Sequence, residues 1–385
     1  MFRKKSKNNL LMFWEKQNEK IYERRSKMVL DFAKEAIANA ETHSINFDEL
    51  RAGKANIKVF GCGGAGCNAI TWLFNKGIQG ATVYGLNTDA LHLSITKADD
   101  KILIGKELTK GLGCGGYPQK GREAAKESQM EIKKAIGGAD MVFLLAGMGG
   151  GTGTGSAPVV GQAAKETGAV VIGVVTMPFD CEKARIDKAE FGLQELREVT
   201  DTVVVIDNNR LVDVAGNLPI EQAFAVANEL ISTMIKGIVE TITLPSLINL
   251  DYADVSTIMK SGDVAVIGIG ESDTKDRINE AVKQALTHPL LDVDYKDASG
   301  ALIHITGGSD LKLEEFSSIG QLVSENLSAD AQVIIGARIN KDFDGKVRVI
   351  TIMTGVSSPY ILGKHKEVET SSFREMSELG IEVFR

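Results

Sequence analysis

Short runs of β-branched and other apolar residues alternate with helical patterns between residues 56 and 218. The runs occupy residues 57–60, 82–86, 141–145, 170–175 and 202–206, and the clearest helical patterns lie at 120–136 and 156–167. Alternation of this kind predicts an α/β domain whose parallel sheet is covered by helices on both faces. Ligands of such sheets bind beyond the carboxyl ends of the strands.

A long helix is predicted immediately after this domain. Pro219 suits the start of a helix, and apolar residues then recur at three- and four-residue steps along one face. They are Ile220, Phe224, Ala227, Ile231, Met234, Ile238 and Ile242, and Leu230, Ile235 and Val239 widen the face. Because so much of its circumference is apolar, we expect this helix to be buried between two domains.

Residues 263–358 repeat the alternation on a smaller scale. Strand patterns lie at 264–268, 301–305, 331–337 and 347–353, and helical patterns lie at 275–286 and 312–327. We therefore divide the chain into a charged helical N-terminal extension (1–50), a first α/β domain (51–218), a central helix with the segment that follows it (219–262), a second, smaller α/β domain (263–358) and a tail (359–385).

Residues 1–16 combine basic and apolar side chains. Arg3, Lys4, Lys5 and Lys7 precede the apolar residues 10–14. A basic amphipathic helix of this composition could lie on an anionic membrane, whereas a solvated arm or a helix packed on its own domain fits the pattern as well. Since no apolar segment is long enough to span a membrane, we expect a cytoplasmic protein.

The net charge and the cysteine spacing argue against two classes of site, one that binds nucleic acid and one that binds zinc. The formal net charge of −7 argues against nucleic-acid binding, which requires a basic face. Cys62, Cys67, Cys114 and Cys181 lack the paired spacing of zinc ligands, so we expect reduced thiols and no bound structural metal.

Two glycine-rich loops carry the candidate chemistry. The first glycine loop (residues 61–68) has the spacing of a dinucleotide fingerprint, with Asp89 downstream, and alone it fits either a Rossmann-like cofactor site or a tight turn. The second glycine loop (residues 149–156) adds further backbone N–H groups and hydroxyls at the end of another predicted strand. Two loops that each open a helix indicate a site that surrounds a whole triphosphate. No Walker motif, with its phosphate-binding lysine, is present.

The second glycine loop, Gly-Gly-Gly-Thr-Gly-Thr-Gly-Ser, resembles the signature of the tubulin/FtsZ superfamily. The similarity runs from about Ile57 to Gly355 and is closer to the archaeal FtsZ branch than to tubulin. It includes the first glycine loop, Asn87-Thr88-Asp89, a third glycine loop (residues 111–116), the segment 249–254 and Pro289-Leu290-Leu291. The resemblance implies a tubulin/FtsZ-like fold, with a Rossmann-like GTP-binding domain, a long central helix and a second α/β domain.

The resemblance also implies positions for GTP and Mg²⁺. Residues at the α- and β-phosphates would be Gly63, Gly64, Ala65, Gly66, Cys67 and Asn68. Asn87 and Asp89 would border the phosphates and the Mg²⁺ shell, and the third glycine loop would close over the γ-phosphate through Gly113, Gly115 and Gly116. The oxygens of the β- and γ-phosphates would be bound by Gly150, Gly151, Thr152, Gly153 and Thr154.

Recognition of the nucleoside is expected from side chains outside the glycine loops. Phe224 and Asn228 lie one turn apart on the predicted long helix, where a ring can stack on a purine and an amide can pair with its edge. By resemblance, Asn208 lies near the ribose or base, and Glu182 and Arg185 contact the ribose. From the sequence alone, Phe224 fits a core position, and Glu182 with Arg185 fits a surface ion pair.

Hydrolysis requires a group that positions the attacking water. The resemblance assigns this role to Asn249, Asp251 and Asp254, which would reach the nucleotide of the next subunit in a head-to-tail homopolymer. The segment alone favours a helix N-cap with a favourable acid in the first turn. The expected function is a filament-forming GTPase of cell division, acting at the division site with division proteins or membrane anchors as partners. The alternatives are a cytoskeletal role in cell shape and a dinucleotide-dependent oxidoreductase.

Overall fold

The computed structural model describes residues 55–244, 246–248, 250–260, 264–287, 298–325, 327–328 and 330–356. The predictions made for residues 1–50, for the tail at 359–385 and for Asn249 lie outside this part of the chain.

The first sheet has six parallel strands in the order β3-β2-β1-β4-β5-β6. The strands are β1 (Ile57–Cys62), β2 (Ala81–Asn87), β3 (Asp100–Leu103), β4 (Met141–Gly147), β5 (Val170–Met177) and β6 (Thr202–Asp207). The predicted parallel α/β sheet is confirmed. Its strand order reverses between β1 and β4, which is the point where open α/β sheets bind ligands.

Nine helices connect or follow these strands in the described residues. They are α1 (Gly63–Asn75), α2 (Ala90–Ile95), α3 (Lys106–Thr109), α4 (Pro118–Glu127), α5 (Gln129–Ile136), α6 (Thr152–Glu166), α7 (Ala184–Val199), α8 (Asn208–Ala215) and α9 (Ile220–Thr243). The single helix predicted for residues 120–136 is two helices. They are separated at Ser128, whose Oγ accepts a hydrogen bond from Gly105 N at 3.1 Å.

Helix α9 packs between the two sheets of the molecule. One apolar core joins its buried residues, such as Met234 and Ile238, to Phe143 of the first sheet and Ile352 of the second. The predicted long helix is therefore confirmed, but its first turns are not enclosed. Phe224 is 39% exposed, because this end of α9 borders the cleft described below.

The second sheet is mixed and has the order β7-β10-β8-β9. Its strands are β7 (Ala265–Ser272), β8 (Gly300–Gly307), β9 (Gln332–Ile339) and β10 (Val347–Thr354). Strand β10 is antiparallel to both neighbours, whereas β8 and β9 are parallel. Helices α10 (Tyr252–Lys260), α11 (Arg277–Leu286) and α12 (Leu313–Ser324) complete the described elements. The predicted second α/β unit is confirmed.

Candidate functional site

Two helix N-termini meet at the carboxyl edge of the first sheet. Strands β1 and β4 are neighbours, and each leads directly into a glycine loop. Helix α1 begins at Gly63 and α6 begins at Thr152, and neither N-terminus has a side-chain cap or an acid in its first turn. Uncapped N–H groups and two helix dipoles therefore point into the same space, an arrangement that favours an anion.

The two loops touch each other through glycine backbone. Gly63 has φ +72°, and a Cβ at this position would lie 2.6 Å from Gly153 N. A Cβ on Gly66 would lie 2.3 Å from Leu145 O. Since no larger residue fits at either position, the glycines bring the donors of both loops to one site.

A cleft opens in front of these loops and has two joined compartments of about 370 Å³ each. The phosphate compartment is lined mainly by the glycine loops and by the segment after β5, with Gly150, Gly151, Thr152, Gly153, Glu182 and Arg185 among its lining residues. The base compartment lies towards α9 and includes Gly66, Asn68, Ala227 and Asn228. Both compartments are lined by Gly64, Ala65, Thr176, Asn208 and Phe224, so a single extended ligand could occupy the two together.

The charged side chains of the phosphate compartment pair with each other. Arg185 Nη1 lies 2.6 Å from Glu182 Oε2, and Glu182 Oε1 accepts a hydrogen bond from Phe179 N at 3.0 Å. Because the two charges cancel, the field that an anion meets here comes chiefly from the backbone N–H groups of the glycine loops.

The base compartment combines an aromatic face with amide groups. The Phe224 ring meets Phe179 edge to face, with 6.0 Å between ring centroids. Asn228 lies one helical turn beyond Phe224, and Asn208, the first residue of α8, lines the same compartment. A flat heterocycle could stack on the ring while its polar edge meets an amide.

The third glycine loop lies beside the second glycine loop, although its residues do not line either compartment. Gly113 N donates to Thr88 O at 3.1 Å, and Cys114 Sγ donates to Thr88 Oγ1 at 3.3 Å. Thr88 Oγ1 in turn lies 2.7 Å from Thr152 Oγ1. Gly113, Gly115 and Gly116 all have positive φ. Thr88 therefore links the third glycine loop to the start of α6.

Several predicted site residues have side chains that are buried or engaged elsewhere. Cys67 is fully buried, and burial raises the pKa of its thiol to about 11, so the thiol stays protonated. Thr154 is also buried. Asn87 Nδ2 lies 3.3 Å from His92 Nδ1, and Asp89 Oδ1 accepts a hydrogen bond from His92 N as the cap of α2. None of these four predicted site residues is among those that line the two compartments.

Asp251 and Asp254 lie outside the cleft of their own chain. Asp251 Oδ1 accepts a hydrogen bond from Asp254 N at 2.8 Å, which caps α10, and Asp254 Oδ2 lies 3.4 Å from Asp251 N. Both side chains reach solvent. These hydrogen bonds are those of a helix cap, and both carboxylates nevertheless remain accessible to solvent.

Sequence reasoning missed part of the cleft wall. Met148, Thr176, Pro178 and Phe179 line the phosphate compartment. The signal that could have identified three of them is their place at the carboxyl end of the predicted strand 170–175, where α/β sheets bind ligands.

Among the residues that the structure describes, no group of three or more His, Cys, Asp or Glu side chains is arranged to hold a metal ion. In the same part of the chain, no helix has the length and apolar character to cross a membrane.

Comparison with known proteins identifies the family. A model described as "Tubulin/FtsZ family, GTPase domain" matches residues 56–216, and one described as "FtsZ family, C-terminal domain" matches residues 263–357. "Cell division protein FtsZ 2" of Methanocaldococcus jannaschii is 53% identical over 88% of this chain and 89% of the relative. "Cell division protein FtsZ 2" of Halobacterium salinarum is 51% identical over 91% of this chain and 90% of the relative.

Solved structures agree with the sequence comparisons. An empty FtsZ dimer from M. jannaschii is 52% identical with a TM-score of 0.75, covering 80% of this chain and 90% of that chain. A GTPγS-bound CetZ2 protofilament from Haloferax volcanii has a TM-score of 0.68 at 21% identity, covering 84% of this chain and 99% of that chain; this likeness concerns the fold alone. The resemblance to the tubulin/FtsZ superfamily is thus confirmed, and the chain belongs to the FtsZ branch of the tubulin/FtsZ family of GTPases.

Proposed function

We propose that the cleft binds GTP, with guanine in the base compartment and the triphosphate against the glycine loops. This proposal rests on one observation: two compartments whose walls differ in chemical character share part of their lining, so they form one continuous cleft. One compartment offers an aromatic face and amides, and the other offers two uncapped helix N-termini. A nucleoside triphosphate has this same division between an aromatic base and a strongly anionic end.

The residue roles are those implied by the family resemblance, and most of the residues concerned line the cleft. Phe224 stacks on the base, Asn228 pairs with its edge, and Asn208 approaches the ribose or base. Arg185 and Glu182, which line the phosphate compartment, contact the ribose. The phosphates contact the first and second glycine loops at residues 63–68 and 150–154, and the third glycine loop closes over the terminal phosphate through Gly113, Gly115 and Gly116.

Mg²⁺ fits the donor chemistry of this site. The lining residues include one cation, Arg185, and its charge is paired with Glu182, so a triphosphate brings negative charge that these side chains do not offset. Mg²⁺ in nucleotide sites is held by phosphates, waters and one or two protein oxygens, which requires no dedicated ligand cluster. We assign Asn87 and Asp89 to the border of its hydration shell. The ion would supply charge neutralisation at the phosphates.

We further propose that hydrolysis is completed between subunits. Asp251 and Asp254 face solvent away from the cleft of their own chain, which leaves them available to the cleft of a neighbour. There a carboxylate can orient the attacking water or accept its proton, and Asn249 belongs to the same segment. A contact between two different faces is heterologous and builds an open filament. Self-association agrees with the relative whose structure is described as an FtsZ dimer.

The cellular role that we propose is cell division, with the filament at the division site. Two of the archaeal relatives described above carry the description of cell division proteins. A role in cell shape remains the second candidate. The two roles differ in localisation, so a fluorescently tagged chain concentrated at the constriction supports division, whereas an even distribution along the envelope supports the cell-shape role.

Nucleotide-dependent sedimentation tests the assembly directly. We expect the chain to pellet with GTP and Mg²⁺, and to stay in the supernatant with GDP, with ATP or without Mg²⁺. Asn228→Leu provides the matched variant, because it removes the proposed base-pairing amide while leaving the glycine loops intact. Equal pelleting with ATP and GTP, or unchanged pelleting of the variant, would contradict the assignment of the base compartment.

The assignments outside the described residues remain predictions. They comprise the N-terminal extension at 1–50, the tail at 359–385 and membrane contact through residues 1–16, and the five-part division of the chain also remains a prediction. Deleting residues 1–16 should reduce co-sedimentation with anionic phospholipid vesicles, and deleting residues 366–385 serves as the control. Equal vesicle binding of the full-length chain and the first deletion would exclude membrane contact by this segment.

A further inference from the structure

The third glycine loop contains few side chains that could fix its shape. Gly111, Gly113, Gly115 and Gly116 all have positive φ, and residues 111–116 contain only two side chains, Leu112 and Cys114. Glycine-rich backbone of this kind has many accessible conformations, so its geometry depends on what holds it from outside. One end is fixed to Thr88 through Gly113 N and Cys114 Sγ.

The other end of the loop is held by Lys188. The ammonium of Lys188 donates a hydrogen bond to Gly116 O at 2.9 Å and lies 5.7 Å from the centroid of the Tyr117 ring. Lys120 Nζ also lies 5.7 Å from this centroid. The Tyr117 ring itself packs on the loop, because a Cβ on Gly115 would lie 3.7 Å from Tyr117 Cδ2. A cation, a carbonyl and an aromatic face thus meet at the end of the loop.

The same helix connects this contact to the phosphate compartment. Lys188 and Arg185 are three residues apart on α7 and share a face, and Arg185 lines the phosphate compartment. Tyr117 also borders the second glycine loop, since a Cβ on Gly151 would lie 2.9 Å from Tyr117 N. The contact therefore joins the third glycine loop, the second glycine loop and the start of α7.

We propose that Lys188 and Tyr117 form a latch that holds the third glycine loop in the conformation required for the terminal phosphate of GTP. They are positioning residues, because they act through the N–H groups of the loop. Without the latch, closing the loop over the terminal phosphate requires ordering flexible backbone, which lowers affinity for GTP. GDP lacks that phosphate and is affected little. This inference rests on the proposed GTP site and adds the device by which it distinguishes GTP from GDP.

The fold supplies a matched control for the latch. Arg122 of α4 and Glu195 of α7 form an ion pair between the two helices that carry Lys120 and Lys188. Glu195→Gln weakens the attachment of α4 to α7 without touching the third glycine loop. If nucleotide affinity depended on the general attachment of these helices, Glu195→Gln would change it as well. If it depends on the latch, Glu195→Gln should leave it unchanged.

The test measures equilibrium binding of GTPγS and GDP to the full-length chain, at protein concentrations too low for assembly. Lys188→Met and Tyr117→Leu should lower affinity for GTPγS about tenfold, the size expected for a lost hydrogen bond to a charged group, and leave GDP affinity unchanged. Lys188→Arg, Tyr117→Phe and Glu195→Gln should keep the GTPγS-to-GDP affinity ratio of the unsubstituted chain. Thermal unfolding of each variant reports whether it folds.

The possible outcomes separate this inference from the proposed function. An equal fall in both affinities, or an equal change in Glu195→Gln, would show general destabilisation and overturn the latch. Unchanged GTPγS affinity in both Lys188→Met and Tyr117→Leu would overturn it as well. If the unsubstituted chain bound neither nucleotide, the proposed function itself would fail, and the latch with it.

Discussion

Gly63 occupies a backbone conformation that is costly for any residue with a Cβ, and it also stands against the second glycine loop. Its φ is +72°, and a Cβ would lie 2.6 Å from Gly153 N. Gly77, at the end of the same helix, has a similar φ of +68° but open space around its Cβ position. Substituting Gly77 therefore measures the cost of backbone strain alone, whereas substituting Gly63 adds the cost of moving the two glycine loops apart.

We expect Gly63→Ala to lower GTP affinity by about 10- to 100-fold, because misplaced N–H groups lose hydrogen bonds to charged phosphate oxygens. Gly77→Ala should destabilise the fold by about 1 kcal/mol and keep normal GTP affinity. Titration with GTP and thermal unfolding of both variants provide the measurement. Equal loss of affinity in the two variants would mean that helix α1, rather than the contact between loops, controls binding.

His304 is a buried titratable residue far from any charged partner that could hold its proton. It is 4% exposed on β8, and both ring nitrogens lack a hydrogen-bond partner within the described structure. Burial, together with the positive charge of Arg338, lowers the pKa of His304 from 6.5 to about 4. The imidazole is therefore neutral in the folded chain at physiological pH.

Stability should consequently depend on pH below neutrality. Between pH 6.5 and 4, the unfolded chain takes up a proton at residue 304 that the folded chain excludes, so the free energy of unfolding falls as pH falls. The loss approaches about 3 kcal/mol near pH 4, and it is absent above pH 6.5. His304→Leu should remove this part of the slope in denaturant titrations between pH 7 and 4.5. An identical slope in both chains would mean that His304 titrates normally.

At the scale of elements, α11 approaches β7 closely because two strand residues have no side chain. A Cβ on Gly270 would lie 1.8 Å from Ala281 O, and one on Gly268 would lie 1.7 Å from Ala285 O. These are backbone atoms of α11, so a Cβ at either glycine could be accommodated only if the whole helix moved. Gly85 in β2 is different, because its nearest neighbours are side-chain methyl groups at 3.3 to 3.4 Å.

We expect Gly270→Ala to destabilise the fold by about 1–3 kcal/mol, the range for overpacking of a dense interior. Gly85→Ala adds the same methyl group against side-chain methyls that need to move by only a few tenths of an ångström, so it should cost about 1 kcal/mol or less. Chemical denaturation of both variants measures the difference. If the two substitutions cost the same, the close approach of α11 to β7 is not what fixes its position.

Sequence patterns predicted nine of the ten described strands, since those strands are predominantly apolar. Strand β3 was missed because two of its four residues, Asp100 and Lys101, are charged and exposed at the edge of the sheet. The break between α4 and α5 depends on a hydrogen bond from Gly105 to Ser128, a contact that no local window contains. The glycine loops were predictable from their spacing, whereas Thr176 and Phe179 belong to no motif and are indicated only by their place at the end of the strand predicted at 170–175.

At the scale of the whole molecule, the cleft and the proposed catalytic acids belong to different surfaces. Asp251 and Asp254 are absent from the lining of both compartments, and their hydrogen bonds are to each other's backbone. On the proposed assignment, neither aspartate of a chain lies in the cleft that holds the GTP of that chain. It follows that GTP turnover per chain should rise with protein concentration, because each active site needs two chains.

Mixing two impaired variants, at a GTP concentration that fills the unsubstituted cleft but not the cleft of Gly63→Ala, gives the sharpest test of this shared site. Asp254→Ala should bind GTP normally and lose about 10²- to 10⁴-fold in turnover, the usual contribution of a general base. Gly63→Ala should fail for the opposite reason, because its acids are intact and its cleft binds GTP poorly. When the two are mixed, the intact cleft of the first can meet the intact Asp254 of the second, so turnover should reappear well above the sum of the separate activities.

The matched control is the double variant carrying both Gly63→Ala and Asp254→Ala. Mixed with Asp254→Ala, it offers a neighbour without the acid, so no turnover should return even if the two chains assemble. A mixture that stays at the sum of its components would contradict catalysis between chains, as would recovery with the double variant. Since Asp254→Ala also removes the hydrogen bond that Asp251 N donates to Asp254 Oδ2, which costs about 1 kcal/mol of stability, normal GTP binding by Asp254→Ala establishes that the chain is folded.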